Sequence, residues 1–130
     1  MNLFVYGSLR KGMKYHHLLQ GAKLITLSAW IRGLLYDTRQ GYPGLTPGNG
    51  HVIGEIYHIN KQILKRVDQL EDYYGPQDPR NLYERNELYV NTKEYGKIRS
   101  FVYTYKMEQW LKQKGIYITE GDWVQYMTKG

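Results

Sequence analysis

The stretch from Asn60 to Gly75 constrains the fold of this 130-residue chain more than any other. Behind Asn60, a residue type that caps helix N-termini, Ile63, Leu64, Val67 and Leu70 recur at helical spacing, and Gly75-Pro76 supplies a stop. The other apolar segments read mainly as strands. Residues 3–6 form an apolar run ended by Gly7. Residues 23–36 mix β-branched and aromatic with polar residues and hold one or two strands. Residues 51–58, 83–90 and 98–105 are strand-like, with Glu94-Tyr95-Gly96-Lys97 as the turn between the last two. Residues 37–50 carry four glycines and two prolines and are predicted as a loop. Residues 108–113 suggest a short helix closed by Gly115. One good helix among many strands predicts an α+β fold, a mixed β-barrel or curled sheet, over a doubly wound one. The length fits a single domain over residues 1–130.

The chain has no cysteine, which removes disulfide scaffolds, thiol nucleophiles and cysteine-ligated zinc together. The first residues show neither the basic start nor the length of a signal peptide, and no run approaches the roughly 20 apolar residues of a membrane span. A cytoplasmic protein without membrane association is expected. The net charge is +6, but its lysines and arginines fall in separate clusters with acids between them. That pattern describes a solvated basic surface, not the contiguous face a nucleic acid requires, and no nucleic-acid partner is expected.

Chemistry has few candidates. On a wheel of about 100° per residue, with Ile63 at zero, Val67 lies near 40°, Leu64 near 100° and Glu71 near 80°. Glu71 therefore falls inside the apolar arc, while Asp68 and Asp72 lie towards the polar side. A carboxylate there needs a buried cation, donors or a cavity. It is a structural ion-pair partner, a residue that a fraying helix end turns to water, or a general base at a pocket wall. In Val5-Tyr6-Gly7-Ser8-Leu9-Arg10 a strand runs into Gly-Ser, where freed N–H groups can bind a carboxylate or an oxyanion, or simply form a turn. There is no GxxxxGK[ST], no GxGxxG and no GxSxG, so Ser8 is not marked as a nucleophile. His16-His17 are adjacent, which does not match the spacing of a metal site, and no metal is expected.

These segments, taken in order, resemble the gamma-glutamylcyclotransferase superfamily, which includes the gamma-glutamylamine cyclotransferases and AIG-type proteins. Phe4-Val5-Tyr6-Gly7-Ser8-Leu9 is similar to its YGSL strand and loop. Gly33-Leu34-Leu35-Tyr36-Asp37 and Tyr42-Pro43-Gly44 are similar to its GxLYD and YPG stretches, and Val52-Ile53-Gly54-Glu55-Ile56-Tyr57 to its VxGE[VI]Y strand. Val67-Asp68-Gln69-Leu70-Glu71 resembles LDxxE, Tyr83-Glu84-Arg85 resembles YxR, and Phe101-Val102-Tyr103 and Gly121-Asp122-Trp123 complete the series. Each motif is weak alone, and their colinear order across the chain is specific.

The resemblance implies a β-barrel with a few flanking helices and a pocket at one face. It implies substrate binding by Tyr6, Gly7, Ser8 and Leu9, and Glu71 as acid/base. The reaction would be intramolecular aminolysis of a γ-glutamyl amine or peptide, releasing 5-oxoproline and an amine without a cofactor. Tyr83 and Tyr103, near family-like motifs, are expected to supply at least one substrate contact, and Asp68 to matter less. The active unit is expected to be a monomer or weak homodimer. A non-catalytic, small-anion-binding domain on the same fold is the alternative. The chain departs from the family pattern at Asp72, where glycine is frequent, in the longer span 73–82, and at Lys14-Tyr15-His16, where an asparagine-histidine pair is frequent.

Overall fold

A computed structural model describes residues 1–129. Its strands are β1 (Asn2–Val5), β2 (Lys23–Asp37), β3 (Pro43–His58), β4 (Tyr83–Thr92), β5 (Gly96–Tyr105) and β6 (Ile116–Tyr117). Its helices are α1 (Lys61–Leu70), α2 (Glu108–Lys114) and α3 (Trp123–Thr128), with a 3-10 turn at His16–Leu19. β1 pairs antiparallel with β3 and parallel with β5. β5 pairs with β4, β4 with β2, and β2 returns to β3. The ring closes as a mixed five-stranded barrel, and β6 adds a short edge to β2. Closure leaves few strand edges free. No helix among the described residues is long and apolar enough to cross a membrane.

Two apolar cores follow from the alternation of side chains along the strands. Phe4 and Tyr6 of the first segment join Ala29, Val52, Val90, Val102 and Trp123, a group fed by all five barrel strands and by α3. Leu3 and Val5, pointing the other way, join Ile63 and Val67 of α1 with Tyr83, Tyr103 and Leu111. Ile63 and Val67 are fully buried, and each such side chain contributes roughly 1.5–3 kcal/mol. Asn60 caps α1 by accepting from the Ile63 amide at 2.9 Å.

Several sequence expectations are corrected. Residues 43–50 are not a loop but the first half of β3, a 16-residue strand paired with β2. The glycines there reflect crowding: a Cβ on Gly48 would lie 2.3 Å from Leu34 Cγ, and one on Gly50 would lie 2.8 Å from the Gly33 carbonyl. α1 ends at Leu70, five residues before Gly75. The Tyr73 amide donates to the Asp68 carbonyl (2.9 Å) and the Asp72 amide to the Gln69 carbonyl (3.3 Å), a Schellman closure with Asp72 at φ +51°. Asp72 thus occupies the left-handed position that glycine fills at lower cost. Helix α3, capped by Asp122, has too short a period to announce itself. Residues 23–37 form a single strand with register irregularities, and the β4–β5 turn lies at residues 93–95.

β1 and β3 approach closely at Gly54, where a Cβ would stand 2.3 Å from the Val5 carbonyl oxygen and 2.7 Å from the Phe4 ring. Gly54→Ala therefore forces β1 away from β3. Thermal and urea unfolding should show a loss at or above the roughly 1–3 kcal/mol typical of overpacking. A variant that melts with the parent would show that the strands yield freely at this point.

Candidate active site

β1 leaves the barrel at Tyr6, and the chain turns through Gly7, Ser8 and Leu9 to Arg10. The turn is tight because the Arg10 amide donates to the Gly7 carbonyl (3.1 Å) and the Tyr15 amide to the Ser8 carbonyl (2.9 Å). The amides of Gly7, Ser8 and Leu9 have no acceptor among the described residues, although Gly7 and Leu9 are buried. Buried donors left unpaired are rare in folded proteins and mark a place where a ligand or solvent completes the bonding. Gly7 is required here by proximity, since a Cβ would meet Pro43 Cγ at 2.7 Å.

These residues line a pocket together with Tyr6, Tyr42, Pro43, Glu71, Tyr83 and Tyr103. The structure thus brings every site residue expected from sequence into one cavity. Glu71 enters it from the C-cap of α1. Its side chain is half-buried, and no side chain or amide of the described residues donates to its carboxyl group. Burial, then the charges of Asp72 and Asp68, push its pKa up to about 8. The acid therefore gives up its proton closer to neutrality than an ordinary glutamate does.

The tyrosines form the rest of the wall. Tyr6 donates to the Tyr103 carbonyl at 2.5 Å, Tyr83 donates to the Pro43 carbonyl, and Tyr103 donates to Asp68. Burial raises the pKa of all three, with the Glu71 charge adding to the effect, so they remain neutral phenols. Their hydroxyls are already committed, which leaves ring faces rather than hydroxyls as the readiest contacts of Tyr83 and Tyr103.

Sequence reasoning missed several residues. Tyr42 from the β2–β3 connection and Pro43, the first residue of β3, complete the wall. Arg10 and Glu55 form a buried ion pair (Nε–Oε2 3.0 Å) behind the turn. Arg10 also reaches Asp122 at 2.7 Å, while Glu55 accepts from the Lys11 amide (2.9 Å) and the Tyr57 hydroxyl (2.8 Å). An acid amid Val52-Ile53-Gly54-Glu55-Ile56-Tyr57 was the available signal, because a charge in a buried strand must have a partner. Asp68, placed by the wheel towards solvent, is instead half-buried and engaged by Arg85 and Tyr103. His16 turns its Nδ1 to the Leu9 carbonyl at 2.9 Å and so braces the same turn. No group of three metal-ligating side chains occurs among the described residues.

A closed barrel thus gathers a buried carboxyl with a raised pKa, neutral phenols and unpaired amides into one pocket, which is the candidate site. Residues 3–125 match the family model described as "Gamma-glutamyl cyclotransferase, AIG2-like", and the chain belongs to that family of enzymes. It is 42% identical over 125 residues to a gamma-L-glutamyl-butirosin B gamma-glutamyl cyclotransferase of Niallia circulans, covering 96% of this chain and 76% of that one. Among solved structures it is similar to an AIG2-like protein of Mus musculus, with a TM-score of 0.74 and 26% identity over 94% of this chain and 86% of that one. It is similar also to protein PH0828 of Pyrococcus horikoshii, with a TM-score of 0.72 and 26% identity over 99% and 94% of the two chains.

The raised pKa of Glu71 carries a stability signature. The unfolded chain ionises this group near the ordinary glutamate value, whereas the folded protein holds its proton up to about pH 8. The folded state therefore binds more protons across that window, and stability falls as pH rises through it. Glu71→Gln removes the group. Its melting temperature should match the parent near pH 4.5 and exceed it at pH 8.5. A variant less stable than the parent at both pH values would show Glu71 to be a structural ion-pair partner.

Proposed function

We propose that the protein converts a γ-glutamyl amine or peptide into 5-oxoproline and the free amine, with Glu71 as the single acid/base. The observation that carries this reading is the pairing, in one pocket, of an uncompensated carboxyl with the unpaired amides of Gly7, Ser8 and Leu9. The activity in the name of the 42%-identical relative supports the γ-glutamyl part of the substrate.

The reaction needs a folded-back substrate. Its α-amine nitrogen attacks its own γ-carbonyl carbon and closes a five-membered ring, so confinement removes much of the barrier. The Glu71 carboxylate takes a proton from the α-ammonium and frees the lone pair. The amides of the Gly7–Leu9 turn receive the oxyanion that develops on the γ-oxygen, and their preorganisation means they do not reorient as charge builds. The protonated Glu71 then gives its proton to the departing amine nitrogen as the carbon–nitrogen bond breaks. The regenerated carboxylate takes the second proton from the ring nitrogen and passes it to the amine, which leaves as an ammonium. The lactam carbonyl re-forms and Glu71 ends as it began. Neutral tyrosine rings around the acid suit this cycle, because a nearby cation would hold Glu71 ionised and weaken it as a base.

The test is release of 5-oxoproline from a panel of γ-glutamyl amines and dipeptides, compared between parent and Glu71→Gln. The parent should turn over at least one member of the panel. The variant should remain folded and bind 5-oxoproline, and its kcat should fall by about 10²–10⁴-fold. Undiminished turnover by folded Glu71→Gln would remove Glu71 from the chemistry.

A further inference from the structure

We propose that Asp68 is the positioning residue of this site: with Arg85 it clamps the end of α1 to the barrel on both sides of Glu71 and so fixes where the acid stands. The inference rests on the reading of Glu71 as acid/base and adds how that acid is held.

Glu71 needs such a device because its carboxyl receives no hydrogen bond from the described residues, so its position is set by the backbone that carries it. Asp68 lies three residues before it, on the same side of the helix. Its two oxygens are divided: Oδ1 accepts from the Tyr103 hydroxyl and Oδ2 from Arg85 Nη1. Arg85 and Tyr103 are directly paired across β4 and β5, so the clamp is built on two neighbouring strands. The Arg85 guanidinium also lies over the Tyr73 ring, 4.8 Å from its centroid, and over Phe101 at 4.9 Å. Tyr73 follows Glu71 by two residues. One guanidinium therefore grips the chain before and after the acid. Tyr73 further packs edge-on against Tyr103, with centroids 6.4 Å apart.

The clamp has an electrostatic side as well. Glu71 faces Asp68 and Asp72 on its own segment, and the neutral phenols of Tyr6 from the end of β1, Tyr42 from the β2–β3 connection, Tyr83 from β4 and Tyr103 from β5. The cation on this wall, Arg85, is neutralised by Asp68. Without the Asp68 charge, Glu71 loses a repulsion and meets an unbalanced guanidinium, and both changes favour its ionised form.

The experiment is Asp68→Asn in the intact chain, read three ways. The kcat for 5-oxoproline release should fall by about 10–10²-fold through misplacement of the acid, with KM within about threefold of the parent. The acid limb of the kcat profile should move to lower pH. The Glu71 carboxyl, followed by carbon NMR without substrate, should titrate at lower pH in step with that limb. A folded variant that keeps the parental kcat, or whose Glu71 midpoint does not move, overturns the proposal. Tyr103→Phe removes one arm and leaves the Asp68–Arg85 pair. It should lower kcat less, at unchanged KM, and it decides the question alone if Asp68→Asn does not fold. An unchanged kcat with a raised KM would make Tyr103 a substrate contact and count against the clamp. Because the NMR titration uses no turnover, an active Glu71→Gln would sink the chemistry proposed above while leaving the clamp to be judged by the midpoint.

Discussion

The buried pair of Arg10 and Glu55 is the contact on which the working end of this molecule depends. It joins the turn after β1 to the middle of β3, and Asp122 extends it to the first turn of α3. Both members of the pair are almost fully buried, at 8% and 4% exposure, so neither can fall back on solvent if the other is lost. Removing one partner of such a pair commonly costs about 3–5 kcal/mol, because the survivor remains as an unpaired buried charge. The Lys11 amide and the Tyr57 hydroxyl take up the remaining capacity of Glu55. The result is a turn held from behind by charge, so that its own amides at Gly7, Ser8 and Leu9 are left unspent on the pocket side.

The opposite wall is arranged on the reverse principle. Among the described residues no cation pairs with Glu71 and no group donates to it, and it sits where α1 ends, at the negative pole of the helix with two further acids beside it. Each of these features opposes ionisation, and the helix end tolerates them because Ile63 and Val67 are fully buried beneath it. Asp72 adds a left-handed backbone conformation at the same point. Local instability of this kind is common where a group must change its protonation state during a reaction. The pocket thus sets a turn anchored by a buried ion pair, with its amides unspent, against an acid without a partner among the described residues.

Much of this was legible in the sequence, for reasons that differ from residue to residue. The period of residues 63–70 placed Glu71 inside an apolar arc, and the helix formed where Asn60 caps it. The run at residues 3–6 was readable as a buried strand because alternate side chains feed two cores. Residues 43–50 were misread because glycine and proline mark turns in isolation, whereas here the glycines admit the Leu34 side chain and the neighbouring backbone. The end of α1 was misplaced because nothing local predicts a left-handed aspartate.

The sequence by itself determined local conformations: strands at residues 3–6, 51–58, 83–90 and 98–105, where α1 begins, which acid falls on its apolar side, and, through colinear motifs, the family. Those properties depend on side chains a few residues apart, and their spacing is written in the chain. Tertiary structure alone decided that Arg10 meets Glu55 across 45 residues, that Asp68 is spent on Arg85 and Tyr103, and that Tyr42 and Pro43 close the pocket. These contacts arise from barrel closure, which brings distant strands into register. A helical wheel places Asp68 towards solvent because it sees one helix and not the β4–β5 surface that covers that side. The partner of a charge is set by what packs against it, and only the folded barrel supplies that.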